Sequence, residues 1–107
     1  MQSNFIFDID GTIAVVSYKE QDAAKIKSKF GAAYFEKHSL SICGQPYYIF
    51  PGFYALFQWL DSIGGNILFF SAGLEVRNVE LVEKLMERTF GEKAKHKNHK
   101  VFRANIV

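Results

Sequence analysis

Cysteine and proline are scarce in this chain, and it contains no long apolar run. One cysteine and two prolines occur among 107 residues, so no disulfide can form within the chain and a reducing compartment is expected. We interpret that cysteine, Cys43, as a small half-buried residue rather than a nucleophile. No basic leader precedes the first apolar segment at Phe5. The sequence therefore predicts neither a signal peptide nor a membrane span, and we expect a cytoplasmic protein.

The chain also carries little net charge. It has 13 basic and 11 acidic residues, a formal charge of +2, and most of the excess lies in one stretch that contains Lys93, Lys95, Lys97 and Lys100. No aromatic platform or known binding motif accompanies these lysines. We therefore interpret the stretch as a solvated loop or helix end, and nucleic-acid binding is the weakest of the functional hypotheses.

Apolar residues, in contrast, are plentiful. They make up 49% of the chain, and 11 of them are phenylalanine, which is enough material for a packed core and argues against disorder. A chain of 107 residues has room for one domain. We therefore predict a single domain over residues 1–107.

Short apolar runs alternate with amphipathic segments along the chain. This order predicts an α/β fold in which right-handed crossovers connect the strands of a parallel sheet, with helices on both of its faces. The run that begins at Phe5 is interpreted as a strand buried on both faces. The predicted strands are 5–9, 66–70 and 101–107, the predicted helices are 21–37, 52–63 and 75–90, and 39–50 is a predicted hairpin or extended arm. On the third helix, Val79, Val82 and Met86 are expected to form the buried stripe.

Polar residues follow the first two predicted strands directly. Asp8 and Asp10 end the first strand, and residues 71–73 (Ser-Ala-Gly) end the second. Because the carboxyl ends of parallel strands meet at one edge of a sheet, we expect these two loops to be neighbours. Side chains two apart at a strand end point to the same side, so the carboxylates are expected to form a pair. The alternative is a simple turn that uses the conformational freedom of Gly11.

Residues 5–13 (FIFDIDGTI) resemble the first motif of phosphatases of the haloacid dehalogenase (HAD) superfamily, an apolar strand followed by Asp-x-Asp-Gly-Thr. Residues 67–71 (ILFFS) resemble the second motif, a strand that ends in Ser or Thr. Residues 47–52 (YYIFPG), 69–73 (FFSAG) and 101–103 (VFR) are similar to the branch of NLI-interacting factors and phosphatases of the RNA polymerase C-terminal domain. The chain departs from that branch at Gly11 and Phe50, where Glu and Arg are usual.

The resemblance implies a Rossmann-like core and a role for each site residue. Asp8 would be the nucleophile and form an aspartyl-phosphate, and Asp10 would be the general acid and base. Mg²⁺ would be held by the Asp8 side chain, the backbone carbonyl of Asp10 and water. Thr12, Ser71 and the backbone at Ala72 would bind the phosphate.

Two later motifs of the family have no match. The third-motif Lys or Arg is not assigned, and no acidic residue that could serve as a fourth-motif metal ligand follows Glu92. The resemblance therefore implies a core that is incomplete at its C-terminus, without the strand that normally lies beside the first. We expect a second copy or a partner chain to cover the open sheet edge.

The segment of about residues 14–50 is predicted to be a small flap or cap insertion. A small cover would admit a phosphoprotein as well as a phosphorylated small molecule. The favoured hypothesis is a Mg²⁺-dependent phosphomonoester hydrolase that works through an aspartyl-phosphate. The alternative is a catalytically inactive, truncated HAD-like module that acts by protein association.

Overall fold

The computed structural model describes residues 3–16, 20–96 and 99–103. The end of the predicted last strand, residues 104–107, and Lys97 of the basic stretch lie outside these ranges. The secondary structure is mixed α/β, as predicted, and no helix in the described ranges combines the length and apolarity needed to cross a membrane. In chain order the elements are β1 (Asn4–Asp8), β2 (Ala14–Val16), α1 (Glu20–Phe30), α2 (Ala32–Lys37), β3 (Ser39–Ile42), β4 (Gln45–Ile49), α3 (Gly52–Ser62), β5 (Asn66–Ser71), α4 (Glu75–Phe90), a 3₁₀ helix (Gly91–His96) and β6 (His99–Arg103).

Three strands form a parallel sheet in the order β1-β5-β6. Each new strand is added on the same side of the preceding one, β5 beside β1 and β6 beside β5. Right-handed crossovers between strands added in this way put both connecting helices on the same face of the sheet. Helices α3 and α4 accordingly pack against each other as well as against the sheet. The opposite face leaves Ile6 62% and Phe70 37% exposed. Helices on both faces, and a first strand buried on both faces, are therefore wrong for the described residues.

The covered face of the sheet is packed with aromatic rings. Phe57 of α3 contacts Phe7 with a centroid distance of 5.2 Å and Phe69 with 5.7 Å, both nearly edge to face. Such contacts add roughly 0.5–1.5 kcal/mol each to the burial of the rings. Phe57 and Phe69 are fully buried. This cluster packs α3 against β1 and β5, the two strands whose carboxyl ends lead into the polar loops.

Helix α4 has the predicted bounds, and it is followed by Gly91 at a φ of 62°. With a ψ of −135°, Gly91 lies outside the left-handed helical region, in a part of backbone space that is open mainly to glycine. The buried stripe of α4 differs from the predicted one, because Val79 is 39% exposed. The buried residues of the helix are Arg77, Asn78, Leu81, Val82, Leu85, Met86 and Thr89.

The segment between β1 and α3 forms a second, antiparallel sheet in the order β2-β4-β3. The predicted hairpin over 39–50 is confirmed, and its two-residue turn is Cys43-Gly44. Both turn residues have positive φ, 51° and 76°, as a turn that matches the twist of a hairpin requires. Cys43 is exposed rather than half-buried, because the turn projects it from the end of the hairpin.

The predicted helix over 21–37 is divided into α1 and α2 at Gly31, whose φ is 92°. A helical residue cannot adopt this conformation, so the chain changes direction there. Ala23, Phe35 and Tyr48 form a second small core beneath the two helices. The segment between β1 and α3 therefore contains a separate sheet, two helices and a second aromatic cluster.

Candidate functional site

The two polar loops lie side by side at one edge of the parallel sheet. Strands β1 and β5 are hydrogen-bonded neighbours, and Asp8 is in register with Phe70. The hydroxyl of Ser71 donates a hydrogen bond to Oδ2 of Asp10 over 3.1 Å. This contact joins residues 61 positions apart in sequence and agrees with the predicted closeness of the two strand ends.

The loop after β1 is a compact backbone turn. The carbonyl of Ile9 accepts hydrogen bonds from the backbone N–H groups of Thr12, Ile13 and Ala14, at 3.0 to 3.3 Å. Gly11 has a φ of 77°, which favours glycine. Ile9 and Ile13 are fully buried in the main hydrophobic core and anchor the loop to it. The simple turn considered from the sequence is therefore present, and it also holds Asp10 in place.

Arg77 of α4 completes this cluster, and it was not among the site residues predicted from the sequence. Its Nη1 and Nη2 atoms donate to Oδ1 and Oδ2 of Asp10, each over 2.7 Å, and Nη2 lies 3.2 Å from the hydroxyl of Ser71. This is the two-bond geometry in which guanidinium and carboxylate groups interact most strongly. The hydrogen bonds to Asp10 raise the pKa of Arg77, and burial opposes that effect.

One sequence signal could have revealed Arg77. It lies one helical turn before Leu81 and two turns before Leu85, on the buried stripe of α4. A charged residue on an otherwise apolar stripe is buried only when a partner neutralises it. The periodicity of α4 therefore indicates that Arg77 has an acidic partner, although it does not identify Asp10.

The two members of this ion pair differ in burial. The side chain of Arg77 is 10% exposed, whereas that of Asp10 is 57% exposed. Loss of the carboxylate would leave the guanidinium largely buried without its anion. We expect a cost of about 1–3 kcal/mol, less than for a fully buried pair because water reaches Asp10.

The loop after β5 is tied to the same cluster. The backbone N–H of Gly73 donates to the hydroxyl of Ser71 over 3.1 Å, and Nδ2 of Asn78 donates to the carbonyl of Gly73 over 3.3 Å. Oδ1 of Asn78 is buried and has no hydrogen-bond partner among the described residues. Ala72 is exposed at the tip of the loop, and Thr12 is exposed in the facing loop. Two of the three predicted phosphate-binding residues therefore face solvent, whereas the third, Ser71, is buried.

Asp8 lies at the end of β1 and is exposed. Its Oδ1 accepts a hydrogen bond from the backbone N–H of Ile9 over 2.9 Å. Across the described residues, no three His, Cys, Asp or Glu side chains are grouped as a metal site. Mg²⁺ is commonly held by one or two protein oxygens together with water. An exposed Asp8 carboxylate and a backbone carbonyl of Asp10 fit that pattern.

Comparisons of the chain with models of protein families, with curated proteins and with solved structures gave no match. The resemblance to HAD phosphatases therefore rests on the sequence motifs alone.

Proposed function

We propose that this chain has a Rossmann-like core of the HAD type and is a Mg²⁺-dependent phosphomonoester hydrolase. The observation that carries the proposal is the hydrogen bond between Ser71 and Asp10, because it unites the residues of the two motifs. The strand order β1-β5-β6 supports it, since both loops lie at the carboxyl edge of the sheet, where ligands bind in open α/β folds.

The proposed reaction has two displacements. In the first, a carboxylate oxygen of Asp8 attacks phosphorus, the bond from phosphorus to the ester oxygen breaks, and the leaving oxygen takes a proton from Asp10. In the second, water attacks the aspartyl-phosphate, Asp10 accepts a proton from that water, and phosphate is released with the Asp8 carboxylate restored. Bound Mg²⁺ would neutralise charge between the phosphate and the carboxylates.

The openness of the site bears on the substrate. Asp8 and Asp10 are both exposed, so a phosphate attached to a large molecule could reach them. We therefore propose that a phosphoprotein or a phosphorylated small molecule is the substrate.

The exposed free thiol of Cys43 is compatible with a reducing compartment, and we propose a cytoplasmic location.

A second candidate is an inactive module that acts by protein association. Two observations favour it. In the described ranges no third acidic side chain joins Asp8 and Asp10 in a metal-binding group, and both oxygens of Asp10 are already bound by Arg77. This alternative predicts a folded protein that turns over no phosphate ester.

Phosphate release from an aryl phosphate separates the two candidates. We expect release that requires Mg²⁺ and falls by at least about a thousandfold in Asp8→Asn, because the nucleophile is lost. Asp61→Asn near the end of α3, at the opposite edge of the sheet, is the matched control and should retain full turnover. A folded wild-type chain without Mg²⁺-dependent turnover would favour the inactive module.

A further inference from the structure

We propose that Arg77 binds the substrate phosphate and that Asp10 occupies the guanidinium only until a phosphate displaces it. This inference rests on the proposed function, because it assigns the phosphate-binding group of the same site. The guanidinium of Arg77 lies where the two motif loops meet, and neither motif assigns it a role.

The first reason is the set of donors that converge at this point. Nη1 and Nη2 of Arg77 already bind two oxygens of one anionic group, each over 2.7 Å. A phosphate presents pairs of oxygens with a similar spacing, and guanidinium groups bind both kinds of anion through two bonds. The Ser71 hydroxyl is 3.2 Å from Nη2 and can donate to a third oxygen. The donors that now hold Asp10 therefore suit a phosphate.

The second reason is the difference in freedom between the two partners. Arg77 is largely buried, its Cζ atom lies 5.7 Å from the ring centroid of Tyr47, and Gly73 packs directly against its guanidinium. Asp10 is on a surface loop with 57% of its side chain exposed. The carboxylate can turn into water, whereas the guanidinium cannot leave without opening the packing around α4.

Exchange of one anion for another follows from this difference. A buried guanidinium without an anion is unfavourable, so Asp10 leaves at little cost only when another anion replaces it. A phosphate dianion carries more charge than a carboxylate and competes effectively for the same donors. The exchange also releases the Asp10 carboxylate into water, where it can take up a proton and then donate it to the leaving oxygen.

The test measures binding of inorganic phosphate by titration calorimetry, in buffer with EDTA so that no metal contributes. We expect Asp10→Asn to bind phosphate at least about tenfold more tightly than the wild type, because the competing carboxylate is gone. Arg77→Lys should weaken binding by at least about tenfold, because a lysine cannot form the paired bonds. Arg88→Lys is the matched control on the same helix, and it should bind as the wild type does.

Unchanged or weaker phosphate binding by a folded Asp10→Asn variant would overturn the exchange. If that variant fails to fold, the comparison of wild type with Arg77→Lys decides, and equal affinities overturn the inference. Absence of binding in both the wild type and Asp10→Asn overturns it too. Because binding needs no turnover, a chain that shows these affinities but hydrolyses nothing would contradict the proposed function alone. Turnover dependent on Asp8, with phosphate binding indifferent to Arg77, would contradict this inference alone.

Discussion

Gly73 lies directly against the guanidinium of Arg77. A β-carbon at this position would overlap Nη2 of Arg77 and would come within 3.3 Å of Oδ1 of Asn78. The backbone of Gly73 does not have the positive φ found at several other glycines. Space, rather than backbone conformation, is therefore the reason for glycine at this residue.

We expect Gly73→Ala to displace Arg77 from Asp10, to destabilise the fold by about 1–3 kcal/mol and to reduce turnover, because overpacking a close contact forces neighbours apart. Gly52→Ala is the matched control, since a β-carbon at Gly52 meets no atom within 4 Å and should change stability little. Urea unfolding of both variants measures the effect.

A double variant checks the cause. In an Arg77→Ala background the added methyl group has room, so Gly73→Ala should cost much less than it does alone. Equal costs in the two backgrounds would show that Arg77 is not the residue displaced.

The sequence predicted only part of this residue cluster. Asp8, Asp10 and Ser71 were identified because they immediately follow apolar strands, a pattern visible over a few residues. Arg77 was not, because its importance depends on a contact with a residue 67 positions away. Local patterns locate strand ends, whereas the partner of a buried charge depends on how distant elements pack.

Among the elements, strand β4 carries the residue whose ionisation the fold affects most clearly. Tyr48 is 2% exposed and stacks on Phe35 at a centroid distance of 5.3 Å. Burial, assisted by the neighbouring Tyr34, raises the pKa of Tyr48 from 10.0 to about 12. The folded state therefore favours the neutral phenol more strongly than the unfolded chain does.

This shift makes the second small core sensitive to alkali. A raised folded pKa gives a contribution that is complete below the unfolded value of 10.0 and is lost as the pH rises towards about 12. A rise of this pKa from 10.0 to about 12 corresponds to about 2–3 kcal/mol in the free energy of unfolding. We expect the stability of Tyr48→Phe to fall less than that of the wild type over this interval, as measured by urea unfolding.

Urea unfolding at pH values below the pKa of Tyr48 is the control for this prediction. Up to about pH 9 both forms of the chain carry a neutral side chain at this position, so the difference in unfolding free energy should be constant. A difference that stays constant through the alkaline interval as well would contradict the assigned role of Tyr48.

The elements show where sequence patterns succeed. Helices α3 and α4 and strand β5 were predicted with nearly the observed bounds, because each has an apolar period or a continuous apolar run and is followed by glycine or a polar loop. Strand β2 was missed because three residues are too few to show a period. The division at Gly31 was missed because an isolated glycine within a helical pattern does not by itself indicate a break.

For the molecule as a whole, the order of elements gave the α/β class but not the exposed sheet face. That face depends on the direction in which successive strands are added. Addition of β5 and β6 on the same side of β1 puts α3 and α4 together on one face. An order that added strands on both sides of β1 would have placed helices on both faces.

This arrangement leaves β1 with an open side. In the described part of the chain, β1 pairs with β5 alone, and Ile6 at its centre is 62% exposed. An apolar strand with an unpaired edge tends to pair with another strand. In a purified sample the available partner is a second copy, so we propose self-association that increases with concentration, measurable by light scattering.

Ile6→Lys should shift the purified protein towards the monomer, because a charge on an edge strand opposes pairing with another copy. The change should alter stability by no more than about 0.5 kcal/mol, since the side chain is largely exposed. Val76→Lys adds the same charge at an apolar residue of α4 that is 75% exposed, and it should leave association unchanged. If the Val76 variant dissociates instead, the contact lies on α4 rather than on β1. A wild-type chain that stays monomeric at every concentration would contradict self-association through β1.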